Sequence, residues 1–89
     1  MMEAGAVVFI GRRPAGLYIA KAVTELSTNE RVRLVARGQF IVKAVSVAVR
    51  LVKAGGYTYN IFIDEEELST DTGKRLIPKI EIELVKKER

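Results

Sequence analysis

Two arginines directly after an apolar run are the residues of this chain best suited to bind an anion. Arg12 and Arg13 lie between residues 6–10, a β-branched run ended by Gly11, and Pro14, which suits the first turn of a helix. Backbone amides at a helix N-terminus favour negative charge, and a guanidinium group donates two parallel hydrogen bonds to one phosphate group. The pattern predicts a phosphate-binding loop; the alternative is an ordinary solvated loop.

Arg37 and Lys43 are candidates for the same patch. Arg37 ends a predicted strand beside Gly38, and Lys43 lies one turn into the helix that follows. A β-α-β connection makes the first two strands neighbours, so we expect Arg37 near the loop of Arg12 and Arg13. Lys43 either joins this patch or only solvates a helix face.

Lys74 and Arg75 follow the turn residue Gly73 and are expected near the tip of a β-hairpin. A flexible arm with two positive charges can reach into a groove of nucleic acid without a recognition helix. Four carboxylates at positions 64–67 lie along the same arm and repel phosphate. We expect them to limit the grip of the arm or to pair with basic residues of another chain. A metal site is not expected there, because successive strand residues point to opposite faces and no histidine accompanies them.

Positive charge is concentrated in the first half of this 89-residue chain, whose formal net charge is +4. Residues 10–53 carry nine basic side chains against Glu25 and Glu30, whereas residues 57–89 carry six basic and eight acidic ones. An anionic partner is therefore expected on the first half; a solubilising surface is the alternative.

The sequence contains few features that would support catalysis. The chain has no His and no Cys, and it lacks a glycine-rich phosphate motif. We therefore predict no catalytic site, no cofactor and no metal. The apolar run at residues 6–10 is too short for a signal peptide or a membrane span, which predicts a soluble, cytoplasmic protein with no membrane partner.

Hydrophobic periodicity predicts the element order β-α-β-α-β-β. The strands are expected at 6–10, 31–37, 57–68 and 76–85, the first of them central and buried on both faces, and the helices at 14–27 and 39–54. The apolar face of the first helix is expected to carry Leu17, Ala20, Val23 and Leu26. The second strand alternates, with Val32, Leu34 and Ala36 towards the core, and its wet, basic outer face is expected to carry Arg31, Arg33, Val35 and Arg37. The fold class is α+β, a two-layer sandwich of a four-stranded mixed sheet with both helices on one face and a long hairpin arm.

The second helix is apolar around nearly its whole circumference. Its polar residues form only a narrow stripe, made of Lys43, Ser46, Arg50 and Lys53. A helix that packs on a sheet needs an apolar arc of only ~100° or a little more. We expect a second chain to bury the excess, with apolar residues tolerated at the surface as the alternative. The approximate interface is Val45, Ala48, Val49 and Val52.

Two segments resemble the Alba family of archaeal chromatin proteins. Residues 8–14, Val-Phe-Ile-Gly-Arg-Arg-Pro, resemble the family's opening strand and its Gly-Lys-Lys-Pro loop. Residues 36–45, Ala-Arg-Gly-Gln-Phe-Ile-Val-Lys-Ala-Val, resemble its Ala-Arg-Gly-Arg-Ala-Ile-Ser-Lys-Ala-Val segment. The resemblance extends over residues 6–87 and identifies 1–89 as a single Alba-like nucleic-acid-binding domain.

The resemblance implies a non-enzymatic homodimer that binds double-stranded DNA, and also RNA, with little sequence preference and coats or compacts chromosomal DNA. The dimer is formed mainly through the second helix and the nearby sheet edge, with the hairpins as arms. The body loop and the end of the second strand contact the backbone, while the hairpin tips approach the minor groove. The implied binding residues are Arg12, Arg13, Arg37, Lys43, Lys74 and Arg75.

Three departures from the best-known members indicate a divergent second paralogue. Arg12 and Arg13 replace a lysine pair that is subject to acetylation, so the charge is kept without that switch. Gln39 stands where the family often has arginine. In the family, an aromatic residue near the end of the second helix contacts neighbouring dimers; the corresponding residues here, 54–56, are Ala-Gly-Gly and include no aromatic side chain.

The sequence is also compatible with two other functions. One is a subunit of an RNA–protein complex whose basic face recognises A-form shape. The other is a protein-interaction module that pairs with a paralogous chain, as a heterodimer, through the hairpin and the second helix. Steep salt dependence of binding to bare duplex separates the nucleic-acid functions from the interaction function.

Overall fold

The computed structural model describes residues 5–87, which form a layer of four strands and a layer of two helices. The ends of the predicted domain, 1–4 and 88–89, lie outside the described residues. The strands are β1 (Ala6–Phe9), β2 (Arg31–Arg37), β3 (Tyr57–Thr70) and β4 (Gly73–Lys86). The helices are α1 (Ala15–Leu26) and α2 (Ile41–Ala54), the latter preceded by a 3-10 turn at Gly38–Phe40. The predicted α+β class and element order are confirmed.

The sheet has the strand order β1-β2-β4-β3, with β1 parallel to β2 and the other pairs antiparallel. The prediction that the first strand is central and buried on both faces is wrong. β4 pairs with the free side of β2, which leaves β1 at the sheet edge, and the helices cover only one of its faces. As a result Val7 is 44% exposed and Phe9 64% exposed.

One face of the sheet packs against both helices and forms the core. The inward set predicted for β2 is confirmed, since Val32, Leu34 and Ala36 are all buried. Val35, predicted to lie on the wet outer face, is also buried, with only 5% exposed. Three inward residues of β4 complete this face: Ile80, Ile82 and Leu84. No helix within residues 5–87 is long and apolar enough to cross a bilayer.

The apolar face of α1 differs from the predicted one. Leu26 is buried as predicted, but Leu17, Ala20 and Val23 are exposed, and the buried stripe consists of Tyr18, Ala22 and Leu26. These three residues are spaced at i, i+4 and i+8, which lie on one side of a helix as well as the predicted spacing of three does. The sequence is apolar at both sets of positions, so it does not show which set is buried. In the structure the large Tyr18 ring packs into the core, and its side of the helix is the buried one.

The helix-free face of the sheet carries paired charges. Arg31 bonds to Glu83 and Arg33 bonds to Glu81, each at 2.9 Å between guanidinium nitrogen and carboxylate oxygen. The second strand was predicted to present a basic outer face, but β4 places a glutamate beside each of these two arginines. They therefore do not extend a basic patch.

The hairpin of β3 and β4 continues beyond the rest of the sheet. Lys79 of β4 pairs on one side with Arg37, the last residue of β2, and on the other side with Asp64 of β3. Residues 65–78 therefore have no third strand beside them, and they form the arm. Its strands are longer than predicted, with the turn limited to Asp71 and Thr72.

Candidate nucleic-acid interface

Several chain segments meet at one edge of the sheet, which we call the loop edge. β1 and β2 are parallel, so their carboxyl ends, the Arg12-Arg13 loop after β1 and Arg37 at the end of β2, come to the same side. The backbone N–H of Ile10 still donates to the Val35 carbonyl at 2.8 Å, which extends the pairing up to the loop. At Gly38 the backbone has φ +57°, a left-handed value that favours glycine and turns the chain from β2 into α2.

The loop is fixed from one side by a buried tyrosine. The Tyr18 hydroxyl oxygen accepts hydrogen bonds from the backbone N–H of Gly11 at 3.0 Å and of Arg13 at 3.1 Å. Tyr18 is only 6% exposed, so this oxygen is held in place by the core. A hydroxyl has two acceptor lone pairs, and the loop uses both.

The loop is fixed from the other side by Lys43. Its ammonium group donates to the carbonyl oxygens of Gly11, at 2.8 Å, and Arg13, at 2.6 Å. The same nitrogen lies 5.9 Å from the ring centroid of Tyr18 and 5.8 Å from that of Phe40, a favourable cation–π distance. The same two residues are thus held through their N–H groups by Tyr18 and through their carbonyl groups by Lys43, and we call Tyr18 and Lys43 the loop clamp.

The clamp leaves the two arginine side chains accessible. Arg12 and Arg13 are both exposed, and within residues 5–87 neither forms an ion pair. Two positive charges therefore project from a loop whose backbone is held at four points. By contrast, the ammonium group of Lys43, predicted as a possible member of the same patch, is directed at the loop carbonyls.

Arg37 reaches the loop edge but is already paired. Its Nε donates to Glu66 Oε1 at 2.6 Å and its Nη2 to Glu66 Oε2 at 3.0 Å, while Lys79 Nζ lies 3.6 Å from the same carboxylate. The hydrogen bond from Arg37 is the main cause that holds the pKa of Glu66 below its usual range. The same bond raises the pKa of Arg37.

The two basic residues of the arm lie on opposite faces. Arg75 pairs in register with Leu68, on the face that also carries Glu66, and it lines a shallow groove of about 590 Å³ together with Arg37. Lys74 is on the other face, and its ammonium lies 3.6 Å from the Glu67 carboxylate. Within the chain, Glu66 and Glu67 thus already lie beside cations that the strand register brings to them. Whether the arm carboxylates also pair with another chain stays a prediction.

The apolar residues predicted as a dimer interface share one surface. Val45, Ala48, Val49 and Val52 line a groove of about 250 Å³ beside β3, where Tyr59 and Ile61 form the other wall. Val45 is 41% exposed and Val49 is 45% exposed. The surface is therefore a continuous apolar strip across α2 and the outermost strand of the sheet.

Two residues of the loop edge were not singled out by the sequence analysis. Tyr18 could have been found, because it is the one aromatic residue of α1 and follows Gly11 by seven residues. Glu66 could not have been separated from its neighbours at 64–67, because its role depends on the strand register.

The loop clamp predicts a local effect of one hydroxyl group. In the variant Tyr18→Phe the N–H groups of Gly11 and Arg13 lose their acceptor, so we expect a loss of about 1 kcal/mol in unfolding free energy and faster amide hydrogen exchange at both residues. The control is Tyr59→Phe, which removes the hydroxyl of a residue that is 54% exposed on β3, away from the loop, and which should leave amide exchange at Gly11 and Arg13 unchanged. Unchanged exchange at Gly11 and Arg13 in Tyr18→Phe contradicts the clamp.

Comparison with known proteins agrees with this fold. The sequence pattern of the Alba family matches residues 6–62. The DNA/RNA-binding protein Alba of Methanoculleus marisnigri is 36% identical over 81 residues, which are 86% of this chain and 89% of that protein. The protein of the same name from Methanothrix thermoacetophila is 38% identical over 84 residues, covering 90% and 94%. The structure of Alba from Thermoplasma volcanium superposes with a TM-score of 0.80 at 31% identity and covers 90% of this chain and 99% of that one. The chain therefore belongs to the Alba family.

Proposed function

We propose that this chain binds the phosphate backbone of nucleic acid at the loop edge and catalyses no reaction. The observation that carries the proposal is the loop clamp, which holds the backbone of Gly11 and Arg13 on either side of Arg12, while the side chains of Arg12 and Arg13 stay exposed. A loop that is fixed before binding loses little conformational freedom on binding, so more of the interaction energy contributes to affinity. The names of the relatives, DNA/RNA-binding protein Alba, support the same function.

Each basic residue of the loop edge has its own role in this proposal. Arg12 and Arg13 contact phosphate groups directly, and Lys43 acts through them as a positioning residue. Arg37 lies at the same edge and offers a further guanidinium. The arm contributes Arg75 from its groove face and Lys74 from the opposite face, as it follows the nucleic acid away from the body.

The proposed binding has little sequence preference. Contacts to phosphate position a protein on nucleic acid but carry no direct information about the bases. We propose double-stranded DNA as the main ligand and RNA as a second one, since both present a regular array of phosphates. Coating or compaction of chromosomal DNA in the cytoplasm is the cellular role that this binding mode favours.

We further propose that two copies of the chain pair through α2 and β3. Single exposed hydrophobic residues are common on a monomer, but here Val45, Val49, Tyr59 and Ile61 form one continuous exposed strip. The strip lies away from the charged loop edge. Pairing of one patch with itself gives a two-fold dimer. Such a dimer carries two loop edges and two arms; a dimer with a paralogous chain uses the same strip.

The first prediction concerns the exposed arginines. The double variant Arg12→Ala, Arg13→Ala should bind duplex DNA more weakly while its melting temperature hardly changes, because exposed loop side chains contribute at most ~0.5 kcal/mol to stability. Each phosphate contact contributes about 0.9 to the slope of log affinity against log salt, and a dimer loses up to about four contacts. We therefore expect the slope to fall by about three in titrations at several salt concentrations.

A charge-matched control is Lys21→Ala with Lys87→Ala. Lys21 is exposed on α1, and Lys87 follows β4 at the end of the sheet that faces away from the loop edge. This control should keep most of the slope, although it loses the same net charge. Equal slopes for the parent and the Arg12, Arg13 variant would show that the loop is only solvated, and the proposed interface would be wrong.

The second prediction concerns the dimer. Val49→Glu places a carboxylate in the proposed interface, and burying it unpaired costs several kcal/mol, so the variant should sediment as a folded monomer. Val42→Glu is the matched control on the same helix, since Val42 is 76% exposed and does not line the strip. It should remain dimeric. A change at Leu51 is unsuitable, because Leu51 is 3% exposed and belongs to the core of its own chain. A stable parent monomer at micromolar concentration contradicts the proposal.

A further inference from the structure

The Glu66 carboxylate of the arm accepts two hydrogen bonds from the Arg37 guanidinium, as a phosphate group would. Two nitrogens of the guanidinium, Nε and Nη2, donate to the two carboxylate oxygens of Glu66 at 2.6 Å and 3.0 Å. This two-point contact is the one by which arginine binds a phosphate group with two parallel hydrogen bonds. The donors that Arg37 would offer to a nucleic acid along this direction are therefore already in use.

We propose that Glu66 sets the affinity of the loop edge for nucleic acid by competing with phosphate for Arg37. This inference rests on the proposed function and adds a residue that weakens it. Arg12 and Arg13 are available to the ligand in the free chain, whereas Arg37 joins the interface only after Glu66 has been displaced. The chain thus carries its own competitor for one of its cationic groups.

The competition is specific to Glu66 among the arm carboxylates. The register places Glu66 opposite Ile77, on the same sheet face as Arg37 and Lys79. Its neighbours Glu65 and Glu67 point to the opposite face, since successive strand residues alternate. Glu65 lines a separate groove beside Ile41 of α2 and Pro78, and Glu67 lies near Lys74. Asp64 shares the face of Glu66, but its carboxylate accepts the backbone N–H of Glu65 at 2.8 Å, and the ion pairs of Arg37 and Lys79 are with Glu66.

Lys79 adds to the hold on the competing carboxylate. Its ammonium nitrogen lies 3.6 Å from Glu66 Oε2, so the carboxylate lies between two cations. These contacts keep the pKa of Glu66 low, and the carboxylate is therefore ionised at neutral pH and must be displaced by another anion. The side chains of Arg37 and Glu66 are 41% and 42% exposed, so solvent screens the pair and a polyanion can replace it.

The test compares two charge-matched variants of the same arm. Glu66→Gln and Glu65→Gln each remove one negative charge, and their general electrostatic effects on a duplex are similar because the two positions are adjacent. Only Glu66→Gln releases Arg37. We expect Glu66→Gln to bind a blunt DNA duplex about threefold to twentyfold more tightly than Glu65→Gln, counted for a dimer in which two arginines are released.

A second comparison asks whether the gain passes through Arg37. In the background of Glu66→Gln, the further change Arg37→Ala should abolish the extra affinity. It should also lower the salt slope by about two for a dimer, since each phosphate contact contributes about 0.9. Amide signals of Arg37 and Gly38 should shift on addition of duplex in Glu66→Gln at lower ligand concentration than in the parent.

The outcomes separate this inference from the proposed function. Equal affinities of Glu66→Gln and Glu65→Gln, or a gain that persists without Arg37, overturn the competition while binding by the parent still supports the loop edge as an interface. Absence of duplex binding by the parent and by both glutamine variants overturns the proposed function, and the inference with it. A gain confined to Glu66→Gln and dependent on Arg37 supports both.

Discussion

Burial of one sheet face by two helices is the constraint on which the rest of the structure depends. The alternation of β2 and β4 places Leu34, Ile82 and Leu84 against α1 and α2, and within residues 5–87 no third element covers the other face. That face must therefore remain compatible with water. It does so through ion pairs between β2 and β4, while the parallel pairing of β1 with β2 brings two strand ends and their loops to one edge.

The same sheet decides which positive charges reach a ligand. In the sequence the arginines of β2 form part of a strongly basic first half, yet Arg31, Arg33 and Arg37 each meet a glutamate from the second half of the chain. Among the arginines that precede α2, Arg12 and Arg13 stay exposed without an ion pair, on the loop between β1 and α1 where Tyr18 and Lys43 hold the backbone. The proposed binding surface is therefore small, its loop backbone is hydrogen-bonded from two sides, and net charge alone overestimates it.

Local patterns in the sequence were sufficient for the elements and for the loop. Period-two alternation predicted β2 and the hairpin strands, and the glycine and proline that flank Arg12 and Arg13 predicted a loop between a strand and a helix. Properties that depend on which strands pair could not be predicted from these patterns. An apolar run such as residues 6–10 suits a buried central strand as well as an edge strand, and the sequence contains no signal that β4 inserts beside β2.

Pairing of distant side chains explains the remaining differences in the same way. Lys43 has the spacing of a surface lysine, but the close approach of α2 to the loop directs its ammonium group at the carbonyls of Gly11 and Arg13. Glu66 lies 29 residues from Arg37 along the chain, and a shift of the hairpin by one residue would turn it to the other face. Such contacts follow from register, which single-sequence patterns do not determine.

The central claim, that nucleic acid binds at the loop edge, is tested most directly by following the backbone amide signals of isotope-labelled protein during titration with a short DNA duplex. The account predicts the largest shifts at Gly11 to Arg13, with further shifts near Gly38 and in the arm at Lys74 and Arg75, all reduced together as salt is raised. Shifts concentrated on the exposed side of α1 around Lys21, or no shift at low salt, would contradict it.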